Sequence, residues 1–137
     1  MIAAVCIGER DGMLFNHRRV SRDRAQQENL LAFCGAGRLW MNGYSAPLFD
    51  WAAERITVDE DFLRKAEPGE VCFVENQPLA PLAGQVEAVV LYRWNRAYPA
   101  DVRLDLDLSD FVLAEQTEFP GVSHEKITRE VYRKKER

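Results

Sequence analysis

The sequence predicts one α/β domain over residues 1–137, with α/β alternation early and antiparallel β-structure late. Three observations predict it. Short apolar runs alternate with helix-like segments over the first half of the chain. Two long β-rich stretches follow one another in the second half. The length of 137 residues suits a single core that buries roughly 65–70% of the unfolded surface.

MIAAVCIGE is a short apolar run containing Val and Ile, the pattern of a buried central strand. An arginine-rich segment follows it. In RAQQENLLAFCG, the residues Ala25, Leu30, Leu31 and Phe33 form an apolar helical face, and Gly35 and Gly37 stand where a helix stops. RLWMN reads as a second buried strand. SAPLFDWAAER reads as a short helix, with Ser45 as its cap and Pro47 in its first turn. ITV is a brief third strand. DEDFLRKAEPG has acids in its first turn, Arg64 and Lys65 in its last, and Pro-Gly as a stop, which predicts a helix. EVCFVE is another buried strand, and NQPLAPLAG a proline-interrupted connection. VEAVVLYRWN and the alternating DVRLDLDL read as sheet partners joined by RAYPA. FVLAEQTEF is a further strand. SHEKITREVYRKKER fits a helix capped by Ser123 and also an alternating strand through Ile127, Val131 and Tyr132, and periodicity leaves both open.

Composition narrows the function classes. Apolar residues at 47% and charged residues at 29% describe a globular chain, not a disordered one. A net charge of −4 argues against a protein that grips nucleic acid over its whole surface. Cys6, Cys34 and Cys72 lie far apart among apolar neighbours, as buried hydrophobes of a reducing compartment do. With two histidines and no CxxC, no metal site is expected. The apolar start is too short for a signal peptide and no stretch has the length to cross a bilayer. The expectation is a cytoplasmic protein without a membrane partner.

The segment from Arg18 to Arg24 holds four arginines and one aspartate. Arg18, Arg19, Arg22 and Arg24 carry planar guanidinium forks suited to phosphate or carboxylate. The competing reading is a solvated loop. Placement directly after the first strand, where α/β sheets put their pockets, favours a small anionic or nucleotide-like ligand. In helical geometry Arg18 shares a face with Arg22 and Arg19 with Asp23, so the four need not converge. The arginines should keep Asp23 ionised. His17 beside Arg18 reads as a hydrogen-bond donor, and His124 between Ser123 and Glu125 as a local turn contact. No third group completes a nucleophile–base–orienter set along the sequence. Cys34 reads as a helix-end hydrophobe and Trp40 as core. Tyr92, Trp94 and Arg96 alternate onto one face, which suits core packing or stacking on an exposed sheet edge. The second option supports an alternative, an RNA- or protein-interaction module using the basic segment. The tail RKKER reads as a solvated end. Edge strands are compatible with self-association without fixing how many chains assemble.

The stretch from Val86 to Lys134 resembles the C-terminal portion of dihydrofolate reductases. The pieces are Asp107-Leu108-Ser109-Asp110-Phe111-Val112-Leu113, then Phe119-Pro120-Gly121-Val122, then a last strand through Val131 and Tyr132. MIAAVCIGERDGMLFN resembles the family's first strand and loop, and RLWMNGYSAPLF its second strand and following helix. The resemblance implies a dihydrofolate-reductase-like three-layer sandwich. Its eight-stranded sheet would be mixed, mostly parallel, and end in an antiparallel hairpin. The tail is then a strand.

NADPH is the cofactor this resemblance implies, and the cofactor loops depart from the family pattern. Val74, Glu75 and Asn76 stand where a Gly-Gly pair lets the cofactor pass close to backbone, so side chains block it and a carboxylate repels phosphate. The phosphate loop becomes Asn42-Gly43-Tyr44-Ser45 without its arginine, although Ser45 keeps a place at a helix start for an anion. The loop after the third strand is missing. Phe15 replaces the loop tryptophan, and Asp23 matches the substrate-binding carboxylate with a one-residue slip, which makes it the catalytic candidate. The expected ligand site is therefore Phe15, Asn16, His17, Arg18, Arg19, Arg22, Arg24, Asn42 and Ser45, binding a small ligand rather than running an NADPH-dependent reduction. GMLFNHRR, SRDR and SHEKIT also resemble small bacterial proteins labelled ribonuclease Z. That chemistry needs an HxHxDH dinuclear zinc site, and His17 and His124 are the only histidines here.

Overall fold

The computed structural model describes residues 1–135. In chain order the strands are β1 (Ile2–Ile7), β2 (Gly12–Phe15), β3 (Arg18–Arg19), β4 (Leu39–Met41), β5 (Ile56–Val58), β6 (Val71–Phe73), β7 (Ala88–Arg93), β8 (Val102–Arg103), β9 (Phe111–Phe119) and β10 (Ile127–Lys134). The α-helices are α1 (Arg24–Cys34) and α2 (Phe62–Lys65). Short 3-10 segments fill several connections, among them Ala46–Arg55 and Ala80–Gln85.

β1 is apolar throughout because both of its faces are covered. Ala3, Val5 and Ile7 enter one core with Trp40, Leu79, Val89 and Leu91. Ile2 and Ala4 enter another, with Leu30, Phe49, Tyr92 and Trp94. The main sheet runs β5-β4-β6-β1-β7-β10-β9. Its first five strands are mutually parallel. β10 is antiparallel to both β7 and β9. The tail is thus a strand, with Ile127 and Val131 buried. Of RKKER, residues 133–135 are described and residues 136 and 137 lie outside the described residues.

The structure corrects several sequence expectations. The strands form a seven-stranded sheet and a separate sheet β3-β2-β8, not one sheet of eight. DVRLDLDL is not a partner of β7. Only Val102 and Arg103 are strand, and they pair with β2. The acids that gave the segment its alternation serve turns: Asp105 accepts from the N–H groups of Leu79 and Ala80, and Asp107 from that of Ser109. α2 is one turn long, because Asp59 holds the preceding bend through the Asp61 N–H and Lys65. Ser45 makes no capping bond. Among the described residues, no helix is long and apolar enough to cross a membrane.

Candidate functional site

The arginine segment is not a continuous helix. Asn16 and His17 both have positive φ, at 50° and 63°. That suits a two-residue hairpin turn between β2 and β3. Phe15, 48% exposed, and the exposed His17 and Arg18 sit on this hairpin. The Asn16 N–H donates to Asp101 at 3.1 Å. Arg18 and Arg19 are neighbours on β3, Arg22 lies in the following loop and Arg24 opens α1, so the four do not converge on one point.

Arg19 turns inward. Its Nε lies 2.9 Å from Glu75 Oε2 and its Nη2 3.1 Å from Oε1, a bidentate pair. Ser45 Oγ donates to the same Oε1 at 2.7 Å. Asn42 is buried beside them and donates from Nδ2 to Asn76 Oδ1 at 2.8 Å. Tyr44 completes the knot, accepting the Arg19 N–H on its hydroxyl at 2.9 Å and lying under the guanidinium. Glu75 is 8% exposed and follows β6 at the sheet's carboxyl edge. These residues do not fit a dinucleotide: the position expected to leave room for a pyrophosphate carries a carboxylate whose partners are already in place.

Asp23 caps α1, and both of its oxygens are occupied. Oδ1 accepts from the N–H of Ala25 at 2.9 Å and of Val122 at 3.0 Å. Oδ2 accepts from the Ser123 N–H at 2.8 Å and its hydroxyl at 3.1 Å, and lies 2.9 Å from His124 Nδ1. Burial alone would raise its pKa. The hydrogen bonds from Val122, His124, Ser123 and Ala25 outweigh it and hold the carboxyl well below its ordinary value. The arginines named as the cause from sequence are not among these groups. Five donors leave Asp23 no free acceptor for a ligand ring.

His124 is therefore more than a turn contact. It is buried, stacked on Trp94 with centroids 4.5 Å apart, and its Nε2 is 3.0 Å from both Ser21 Oγ and the Tyr98 hydroxyl. Folding thus brings Ser21, His124 and Asp23 into one hydrogen-bonded line, a proximity that no sequence spacing shows. Tyr92 and Trp94 lie in the core, which removes the exposed stacking face from the interaction-module alternative. Burial pushes the Cys34 thiol up to about 11 and the Cys72 thiol to about 12, so neither is poised to react.

The turn carrying His124 approaches Asp23 closely enough that a Cβ on Gly121 would stand 2.7 Å from Asp23 Oδ2 and 2.8 Å from the His124 carbonyl oxygen. Gly121→Ala is expected to lower stability by about 1–3 kcal/mol through this crowding, read as a reduced melting temperature. An unchanged melt would show that the turn gives way freely.

Beside this turn lies a groove of about 300 Å³ lined by Arg22, Arg24, Gln27, Pro47, Leu48, Trp51 and the Val122–Ser123 turn, with Asp23 in its wall. Trp51 is 38% exposed and donates from Nε1 to Gln27 Oε1 and the Leu48 carbonyl. The Arg24 guanidinium lies 3.6 Å from the indole centroid and 3.5 Å from Glu28. Among the described residues the Arg22 guanidinium has no partner. Trp51 was one aromatic among several in the sequence, and only the fold puts it next to two arginines.

The strand order, the layers on both sheet faces and the antiparallel end define a dihydrofolate-reductase-like α/β fold. A solved dihydrofolate reductase from Enterococcus faecalis, complexed with NADP(H) and RAB-propyl, superposes with a TM-score of 0.69 over 99% of this chain and 97% of its own. The two sequences are 12% identical, so the likeness is one of fold. No family model and no curated protein matches by sequence.

Proposed function

We propose that this chain is a small-molecule binding protein built on the dihydrofolate-reductase-like fold, which holds an anionic, nucleotide-like ligand in the groove between α1 and Trp51. The supporting observation is the pairing of two exposed guanidinium groups, Arg22 and Arg24, with a half-exposed indole in one concavity. Guanidinium forks match phosphate or carboxylate oxygens. A flat heterocycle stacks on the indole, with Arg24 as the opposing plane or the displaced lid. The groove is at the small end of ligand pockets, which run from about 300 to 1,000 Å³. This favours one nucleotide-sized molecule over a dinucleotide. Of the residues expected from sequence, Arg22 and Arg24 do the binding in this reading. Arg19, Asn42 and Ser45 are framework around Glu75.

The test is thermal melting and tryptophan fluorescence with inorganic pyrophosphate, adenosine mono- and diphosphate, and NADPH as probes. A mononucleotide at 100-fold its Kd is expected to add about 2.7 kcal/mol, a rise of several degrees. Arg22→Ala and Arg24→Ala should each weaken it about tenfold or more, and NADPH should add nothing beyond its mononucleotide half. Flat responses to all four probes, with cooperative melting retained, would refute the reading. Binding of single-stranded RNA alone, falling log-linearly with salt, would replace it with the interaction module.

A further inference from the structure

The groove leaves unexplained a buried polar chain alongside it. Ser21 and Asp23 lie on the connection between β3 and α1, Tyr98 between β7 and β8, and His124 before β10; the His124 and Asp23 side chains are 1% and 0% exposed. Histidine and aspartate lie beneath the surface, while Ser21 and Tyr98 are half-buried. Every element of an activated hydroxyl is in reach. Asp23 Oδ2 faces His124 Nδ1 at 2.9 Å, and four other donors fix that carboxylate in place. With the carboxylate accepting at Nδ1, the tautomer protonated there turns a lone pair at Nε2 toward Ser21 Oγ, 3.0 Å away. Trp94 stacks on the imidazole with planes 20° apart and stops it rotating. The Tyr98 hydroxyl, 3.4 Å from Ser21 Oγ, adds a donor beside the nucleophile.

We propose that Ser21 is the nucleophile of an acyl-transfer centre that cleaves esters, with His124 as its base and Asp23 as the residue that positions His124. Ser21 Oγ forms a bond to the ester carbonyl carbon as its proton passes to His124 Nε2. The Tyr98 O–H is placed to donate to the resulting oxyanion. Collapse breaks the bond between the carbonyl carbon and the alkoxy oxygen, and the leaving alcohol takes the proton from Nε2. Water then attacks the acyl-serine with His124 again as base, and the carboxylic acid departs as Ser21 regains its proton. One ester and one water give one acid and one alcohol. A purely structural latch between α1 and the turn before β10 would need one partner for the buried Nε2, and two hydroxyls, Ser21 and Tyr98, stand there at 3.0 Å.

The centre stands independently of the groove reading, so its probes are uncharged. The full-length protein is treated with a fluorophosphonate ester and followed by intact mass and peptide mapping, and p-nitrophenyl acetate turnover is measured in parallel. The expected result is one adduct, on Ser21, and saturable ester turnover that the adduct abolishes. Ser21→Ala removes one half-buried oxygen, keeps the melting temperature, and should lose both signals. His124→Gln should slow labelling by about 100-fold or more, the usual worth of a general base. A folded wild-type protein whose Ser21 stays unlabelled overturns the proposal. So does labelling of Ser21 no faster than that of other serines, or ester turnover that survives Ser21→Ala.

Discussion

Asp23→Ala is expected to be the most damaging single replacement in the chain, at about 3–5 kcal/mol. The magnitude follows from what is left behind. The His124 Nδ1 and the N–H groups of Ala25, Val122 and Ser123 all lose their acceptor at once, and a buried unsatisfied donor costs about 1–3 kcal/mol. The same carboxylate clamps the turn before β10 to the start of α1, so the loss spreads to the sheet's antiparallel end. Because its folded pKa is depressed, Asp23 contributes stability that is fully present above the unfolded value near 3.9. That contribution is lost as pH falls from there through the lower folded value. Melting curves of wild type and Asp23→Ala should therefore lie far apart at neutral pH and draw together below about pH 4. A gap that is constant down to pH 2 would show that the side chain contributes by shape and not by charge.

The second large effect belongs to Arg19 and Glu75. Arg19→Ala leaves a carboxylate that is 8% exposed with, among the described residues, only the Ser45 hydroxyl as donor, at an expected cost of about 3 kcal/mol. Glu75→Ala should cost less, since the Arg19 side chain is 22% exposed and can turn toward water. The double replacement Arg19→Met with Glu75→Leu removes both charges and keeps the apolar volume, so it should recover most of the loss. The coupling itself is measured by chemical denaturation of wild type, Arg19→Ala, Glu75→Ala and the double Arg19→Ala with Glu75→Ala. Simple additivity of the two single losses would mean that the bidentate pair carries no coupling energy.

The parts of this fold that were legible in sequence are those whose environment is set locally. The runs through β1, β6 and β7 are apolar because strands covered on both faces need no alternation, and that can be read without knowing the partner. α1 was legible from its apolar spacing and its glycines. What failed was alternation without burial. DVRLDLDL alternates as a strand does, yet Asp105 and Asp107 are there to hold the N–H groups of Leu79, Ala80 and Ser109. The buried polar cluster is illegible in sequence for a different reason. His124 and Asp23 stand 101 residues apart, and Ser21 and Tyr98 carry no motif. Proximity created by folding leaves no spacing to read. Asn16-His17 carries no turn signal as a residue pair, and only the positive φ of both residues between β2 and β3 shows the hairpin.

The position of β1 bears on how the chain is made. β1 lies at the middle of the sheet, and its neighbours are residues 71–73 and 88–93. A ribosome adding about 5–20 residues per second makes β1 several seconds before β6, the earlier of these two neighbours. For that interval an apolar segment with strong strand character has no native edge to join, and contacts this distant in sequence also slow closure. β7 in turn waits for β10, which fills its other side. The nascent protein therefore needs something to shield β1 during synthesis, whether the ribosome surface or a holding chaperone. Slowing translation should raise aggregation, not relieve it. A central strand that precedes both of its neighbours in the chain waits for each of them to be covered.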